Sequence, residues 1–204
     1  MSFTELPKIY DFPPLYTKQP NALVFNKQLE TWSNIILQYC QANKIFRMND
    51  QRLRMDLFDN KKINRSVSLD LEKKIWDHVF QAQSRIVYLK EDPSTSASSC
   101  RKIQIDKNPI KKAEYGIVLW KSIEDWGSIV LNYMVNSANG SNSIFTLYEL
   151  ENQSYNELFH NIDHELLKYV VQEELCKNRK RVVLMYEEDP EEDQYGELVG
   201  IKLV

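Results

Sequence analysis

The sequence predicts an α+β protein, mostly helical, in which an extended proline-aromatic arm precedes two tandem winged-helix domains. Two observations predict the domains: a segment built around a tryptophan occurs twice, and the same order of helices and strands follows each copy. A third observation, that four of the seven prolines lie in residues 1–22, separates the arm from the rest. The predicted domains cover residues 23–121 and 122–204.

The repeated segment is the strongest internal signal. Leu29–Cys40 and Ile123–Met134 align without gaps, because each residue of the second copy stands 94 positions after its match, and five of the twelve positions are identical. A period of about 95 residues is too long for a solenoid repeat and has the size of a small domain. We therefore expect Trp32 and Trp126 each to anchor the core of its own domain.

The arm is predicted to be neither a helix nor a central strand. Proline fixes φ and biases the preceding residue towards extended geometry, so we expect an extended segment from which aromatic side chains project. Pro13-Pro14-Leu15-Tyr16 fits the PPxY pattern that WW domains bind. The arm has two other candidate roles: it packs on its own first domain, or it docks on another subunit. The density of aromatic residues favours a permanent, buried docking site.

Helical and strand-like patterns alternate through the first domain. Apolar residues recur at helical spacing from Phe25 to Ala42. Ser68 is a predicted cap for a helix that follows it. The other predicted elements are a strand at Ile45–Met48, a short polar helix within Asp59–Ser66, and strands at Arg85–Lys90 and Tyr115–Trp120. Residues 93–112 between the last two strands are serine-rich and then basic, which predicts a mobile loop.

The second domain follows the same order. Its tryptophan helix is predicted to end near Asn139-Gly140, and a strand at Ile144–Leu147 and a short helix to Glu151 follow. Asp163 is a predicted N-cap for a helix from His164 to Lys177. Val182–Tyr186 and Leu198–Val204 are predicted to close a hairpin across an acidic loop. Three helices with a small sheet and a terminal hairpin are typical of a winged helix.

Charge differs sharply between the two halves of the chain. The formal net charge is −3, but residues 1–122 carry 20 Lys and Arg against 13 Asp and Glu, and residues 123–204 carry 6 against 16. The second domain is therefore acidic, which favours a basic protein partner over nucleic acid. The third helix of each domain also lacks the basic face of a DNA reader. A DNA-binding transcription factor remains an alternative, and its main support is the basic loop Arg101–Lys112.

Nothing in the sequence predicts catalysis, a cofactor or a metal site. His160 and His164 are four residues apart, but Asp163 as helix cap places His160 before the helix, and a third ligand near them is missing. Five glycines form no phosphate-binding loop. The cysteines are odd in number and far apart in the sequence, which predicts reduced thiols in a cytosolic protein. They are Cys40, Cys100 and Cys176. A signal peptide and a membrane-spanning run are not recognisable, so we expect a cytoplasmic protein.

Four stretches together resemble one known family. They are Asp11–Asn21, the Trp32 helix, Leu119–Lys121 with the Trp126 helix, and Ser143–Leu150. In these the chain resembles the small-subunit family of the endosomal sorting complex ESCRT-II, in its fungal form. The resemblance runs nearly end to end and is weakest in residues 49–66 and 91–113.

The resemblance implies a non-enzymatic subunit, present in two copies beside one each of two larger winged-helix subunits. In that family the arm and the first winged helix dock on the larger subunits, and the second winged helix recruits an ESCRT-III subunit so that ubiquitinated cargo enters multivesicular bodies. Contact with the endosomal membrane is indirect, through other subunits. The docking residues that the resemblance implies here are Phe12, Pro13, Pro14 and Tyr16, supported by Gln19 and Pro20. A WW-domain ligand is the other alternative, since the arm contains PPxY.

Overall fold

A computed structural model describes residues 6–81, 84–88, 116–137, 144–152, 162–186 and 198–204. These residues form two compact units: the first takes in the described residues up to Tyr88 and those from 116 to Trp120, and the second takes in those from Lys121 onwards. Both units combine helices with small antiparallel sheets, two in the first unit and one in the second, and helix dominates, as the sequence predicts. The loop at 93–112, Asn139-Gly140 and the acidic loop between the last two strands lie outside the described residues.

The first unit begins with two short 3₁₀ turns. Its further elements are α1 (Ala22–Asn43), a π-helical turn (Leu53–Leu57), β1 (Asp59–Asn60), β2 (Arg65–Ser66), α2 (Leu69–Gln81), β3 (Ile86–Tyr88) and β4 (Gly116–Val118). The side chain of Asn21 caps α1 by accepting two backbone N–H bonds. Lys44, in the left-handed conformation with φ of 51°, ends it. Ser68 accepts a hydrogen bond from the Leu71 N–H at the start of α2, as predicted.

The short polar helix predicted within Asp59–Ser66 is wrong. Strands β1 and β2 pair antiparallel there and form a hairpin. Asn60 Oδ1 accepts the backbone N–H of Lys62 at 3.0 Å, and Asn64 adopts a φ of 52°. Asparagine closes tight turns in this way, because its side chain bonds to the backbone two residues on and it tolerates the left-handed region. The turn chemistry therefore overrides the weak helical preference of a polar stretch.

The strand predicted at Ile45–Met48 is reduced to a single bridge between Arg47 and Ile117. The Met48 N–H donates to the Gly116 carbonyl at 3.0 Å. This places residues 46–48 beside β4, which pairs on its other edge with β3. The strand segments of the first unit thus lie in the order 46–48, β4, β3.

The second unit has the same strand order. Its elements are α3 (Ile123–Ser137), β5 (Ile144–Phe145), α4 (Leu147–Glu151), α5 (His164–Tyr169) with a π-helical continuation (Val170–Asn178), β6 (Val182–Tyr186) and β7 (Leu198–Leu203). The sheet order is β5, β7, β6, so the strand after the first helix again pairs with the last strand. Asp163 caps α5 by accepting two backbone N–H bonds, as predicted. None of the helices in the described ranges is long and apolar enough to cross a bilayer.

The two copies of the repeat occupy equivalent places in the two cores. Trp32 and Trp126 are both 0% exposed, as expected of core anchors. The next position is small in both copies, Ser33 in α1 and Gly127 in α3, and both residues are buried. The repeated positions therefore match in burial as well as in sequence.

In the second unit the π-helical segment Val170–Asn178 lies close to Gly127. A Cβ atom placed on Gly127 would lie 2.5 Å from Cγ of Glu174, which is too close for carbon atoms. Glu174 is itself held, since Asn178 and Arg179 donate hydrogen bonds to its carboxylate. Arg179 also donates to the Glu124 carbonyl of α3 at 2.7 Å. Burial alone would raise the pKa of Glu174, but the bonds from Asn178 and Arg179 outweigh it and lower that pKa.

We expect Gly127→Ala to lower the free energy of unfolding of the second unit by about 1 kcal/mol or more. Alanine favours a helix interior over glycine by about 1 kcal/mol, but overpacking a core costs about 1 to 3 kcal/mol and Glu174 cannot retreat. Urea unfolding of the full chain measures the change. In a Glu174→Ala background the same substitution should cost less. Stabilisation by Gly127→Ala in the wild-type background would contradict the packing argument.

Candidate docking surface

The proline-aromatic arm is folded onto the first unit. Lys8–Asp11 and Pro13–Tyr16 each form a 3₁₀ turn, and the two prolines of the second turn occupy its first positions. The prediction of an extended arm outside both cores is wrong. Proline fixes φ near −65°, which suits a 3₁₀ turn as well as a polyproline helix, so the sequence alone does not separate the two.

Two side chains of α1 hold the arm by its backbone carbonyl groups. Gln28 Nε2 donates to the Leu15 carbonyl at 2.7 Å and to the Thr17 carbonyl at 2.9 Å. Trp32 Nε1 donates to the same Leu15 carbonyl at 2.9 Å. Gln28 and Trp32 are four residues apart and therefore lie on one face of the helix. Because unsatisfied buried donors are costly, these bonds fix the position of the arm on α1.

The β1–β2 hairpin holds the arm from the other side. Asn60 Nδ2 donates to the Tyr10 carbonyl at 3.2 Å, and Tyr10 Oη donates to the Leu57 carbonyl at 2.8 Å. Lys62 forms an ion pair with Asp11. The hydrogen bonds from Lys62 and Asn60 lower the pKa of the Asp11 carboxyl. The β1–β2 hairpin, which the sequence did not predict, therefore helps to hold the arm in place.

Aromatic rings of the arm pack edge-on against the core tryptophan. The ring centroids of Tyr16 and Trp32 are 5.4 Å apart, and Tyr10 lies 5.9 Å from Tyr16 and 6.3 Å from Trp32. Such pairs contribute about 0.5 to 1.5 kcal/mol beyond their buried area. Tyr16 Oη donates to the Tyr10 carbonyl at 3.0 Å. Desolvation raises the pKa of both phenols, so both stay neutral.

The structure separates the six predicted docking residues into three groups. Tyr16 is only 4% exposed and belongs to the core of the first unit. Gln19 is half-buried and donates to the carbonyl groups of Pro14 and Thr17, which braces the arm. The exposed members are Phe12, Pro13, Pro14 and Pro20.

The exposed residues among the predicted docking residues lie on the outside of the arm. Phe12 is 51% exposed and Ile9 is 43% exposed, although both are apolar. We call Ile9, Phe12, Pro13 and Pro14 the arm ledge. The backbone beneath the arm ledge is held at Leu15 and Tyr10, so these side chains are presented from a fixed backbone.

Gln28 and Asn60 hold the arm in place, and the sequence did not predict either contact. The two copies of the repeat differ in helix length just before this segment. Helix α1 begins at Ala22, whereas α3 begins at Ile123, the match of Leu29. The first copy therefore carries seven further helical residues, and Gln28 is the last of them. Asn60 gave no comparable signal, since its role depends on the hairpin that brings it to the arm.

The burial of Tyr16 disfavours the WW-domain alternative. A WW domain must receive the tyrosine of PPxY in a pocket. Here the ring of Tyr16 packs on Trp32 and its hydroxyl is bonded within the arm. Capture by a WW domain would first require the arm to leave its seat on α1.

Of the two histidines considered as metal ligands, only one lies among the described residues. His164 pairs with Glu151, while His160 lies outside the described residues. Within the described ranges no group of three or more His, Cys, Asp or Glu side chains is arranged to hold a metal ion.

Cys40 lies in α1 of the first unit. Burial raises the pKa of the Cys40 thiol to about 12, which keeps it protonated and unreactive.

Comparison with known proteins gives a consistent result. A family model described as "ESCRT-II complex subunit" matches residues 9–163. The chain is similar to vacuolar protein-sorting-associated protein 25 of Saccharomyces cerevisiae, with 31% identity over 98% of each chain.

Solved structures agree with the sequence comparison. The crystal structure of subunit VPS25 of the endosomal trafficking complex ESCRT-II is similar, with a TM-score of 0.74, 30% identity and 98% coverage of each chain. A chain in the crystal structure of endosomal complex ESCRT-II (VPS22/VPS25/VPS36) is similar with a TM-score of 0.70, 27% identity and the same coverage.

Proposed function

This chain belongs to the family of ESCRT-II complex subunits, and from that membership we propose that it is a non-enzymatic assembly subunit of an ESCRT-II complex. Its task is to join the larger ESCRT-II subunits through its first half and an ESCRT-III subunit through its second half. The single observation that carries the first contact is the arm ledge: exposed apolar side chains on a backbone that the first unit holds in place.

Two winged-helix domains are the scaffold of this function. The same strand order in both units supports this assignment, because in each the strand after the first helix pairs with the strand at the end. The repeat supports it as well, since equivalent positions are buried in both units. The boundaries that accompany it are an arm over residues 1–22 and domains over 23–121 and 122–204.

The arm ledge binds the larger subunits. Apolar and aromatic side chains exposed on a pre-ordered backbone lose little conformational entropy on binding, which favours a stable interface. Pro20 extends this surface, and Gln19 supports it from beneath. Tyr16, by contrast, contributes by keeping the arm in place on Trp32.

The second winged helix recruits an ESCRT-III subunit. The excess of acidic residues in 123–204 supports a basic partner helix. Two copies of the chain in each complex raise the effective concentration of that partner at the endosomal membrane. Ubiquitinated cargo is then sorted into multivesicular bodies by a protein that is cytoplasmic and reaches the membrane through its partners.

We expect the affinity of the full chain for the ESCRT-III subunit to fall as salt concentration rises. The attraction between an acidic surface and a basic helix is screened beyond about 8 Å at physiological ionic strength. Titration of fluorescently labelled ESCRT-III subunit at increasing salt measures the slope. An affinity independent of salt would remove the acidic surface from the contact.

Native mass spectrometry tests the proposed assembly directly. The tagged full chain, purified from its own cells, should come with two larger subunits and should be present twice in the complex. Recovery of the chain alone would refute the ESCRT-II role. Recovery with duplex DNA would instead support the transcription-factor alternative, for which a steep salt dependence of DNA binding is the check.

A further inference from the structure

The three-stranded sheet of the second unit has one buried face and one exposed apolar face. On the buried face Phe145 of β5 and Ile201 of β7 pair in register. Side chains alternate between the two faces along a strand. The neighbours on the other face are Ile144, Val183 and Met185, which are 54%, 52% and 40% exposed.

These side chains form one continuous surface across all three strands. Ile144 of β5 and Val183 of β6 both lie opposite Lys202 of β7, and Met185 of β6 lies opposite Gly200. A Cβ atom on Gly200 would lie 3.1 Å from Cγ2 of Ile144 and 3.5 Å from Sδ of Met185. The side chains of the two edge strands therefore meet above the glycine of the middle strand.

Basic residues border this apolar surface. By the alternation of β6, Arg181 projects on the same side as Val183 and Met185, and it is exposed. Lys202 lies between Ile144 and Val183. Residues 123–204 carry only 6 Lys and Arg, so two of them beside one apolar patch depart from the acidic character of this half.

We propose that this surface, the outer sheet face (Ile144, Arg181, Val183, Met185, Gly200 and Lys202), binds an amphipathic helix of another protein whose apolar stripe is flanked by Asp or Glu. Three strands are about 10 Å wide, which matches the diameter of one helix with its side chains, about 10 to 12 Å. The apolar residues receive the stripe, and the two cations pair with the flanking carboxylates.

The outer sheet face shares no residue with the arm ledge and goes beyond the contacts proposed above. Its binding can therefore be measured on the full chain without other subunits. The probe is a fluorescent 18-residue helical peptide with a leucine stripe flanked by glutamates. Two matched peptides serve as references: one with lysines in place of the glutamates, and one with the same composition but a scrambled stripe. Fluorescence anisotropy gives the three affinities.

We expect the glutamate peptide to bind most tightly. The double variant Val183→Thr, Met185→Thr should weaken it by about tenfold or more, as for a central contact of an interface. Threonine keeps the strand propensity, so the fold is retained, which a thermal melt verifies. The matched control is Val135→Thr: Val135 is 50% exposed, but it lies on helix α3 and is not part of the sheet. That variant should change the affinity less than twofold.

The variant Lys202→Glu tests the charge separately. It should weaken the glutamate peptide and strengthen the lysine peptide. Equal binding of the ordered and scrambled peptides, or an equal effect of Val135→Thr and the double variant, would overturn the proposal. Binding to phosphatidylserine vesicles that depends on Val183 and Met185, without binding to the peptide, would also overturn it and assign the surface to a membrane.

Discussion

Replacing Trp32 by alanine is expected to unfold the first unit. The side chain is fully buried, contacts both arm tyrosines and donates to the Leu15 carbonyl. Truncating a buried tryptophan costs about 3 to 5 kcal/mol, and an average domain is stable by about 5 to 15 kcal/mol. Hydrogen exchange followed by mass spectrometry should show loss of protection in peptides of the first unit, including the arm.

The matched variant is Trp126→Ala, which removes the same side chain from the second copy of the repeat. It should reduce protection mainly in peptides from residues 123–204. Trp32→Phe is the conservative variant, since it keeps an aromatic ring but loses the hydrogen bond to Leu15. It should destabilise the first unit less than alanine does. Equal protection of the first unit in Trp32→Ala and the wild type would contradict the role of Trp32 as its anchor.

Replacing Phe12, Pro13 and Pro14 together by alanine is expected to abolish recovery of the larger ESCRT-II subunits. These residues are three of the four exposed side chains of the arm ledge, so their loss removes contact area from the interface but little from the core. Each proline substitution should cost at most about 1 kcal/mol through the greater freedom of the unfolded chain. Native mass spectrometry of the purified complex measures assembly, and a thermal melt of the free chain measures the fold.

Tyr16 supplies the contrasting control for this experiment. Tyr16→Ala should destabilise the free chain, because it empties a site beside Trp32. Tyr16→Phe should cost only about 1 kcal/mol, the net contribution of the lost hydrogen bond to Tyr10. Full assembly of the Phe12, Pro13, Pro14 variant would show that the arm ledge is not the contact. Loss of its melting transition would show that these side chains are structural instead.

The division of labour within the arm explains why its two kinds of residue are interleaved. Buried Tyr10 lies between exposed Ile9 and Phe12, and the second 3₁₀ turn has two exposed positions followed by two buried ones. Leu15 and Tyr16 face inwards, while Pro13 and Pro14 face outwards. A substitution in PPxY therefore tests assembly or stability depending on which residue is changed.

The sequence by itself determined the features that repeat or that depend on near neighbours. The tryptophan repeat predicted two cores, and Trp32 and Trp126 are buried in them. The cap at Asp163 and the hairpin of β6 and β7 were also predicted correctly. Apolar periodicity and capping are local, since a helix or strand must present its own apolar face and satisfy its own terminal N–H groups.

Only the tertiary structure decided how the arm is used. Its apolar side chains could have been buried against this chain or against a partner, and composition is the same in both cases. The choice depends on donors far away in sequence, Gln28, Trp32 and Asn60, which bind the arm carbonyl groups. Asn60 reaches the arm only because residues 59–66 form a hairpin. Such long-range contacts have no periodicity in the sequence, so the sequence does not show that Tyr16, a docking residue by the family resemblance, is buried in the core.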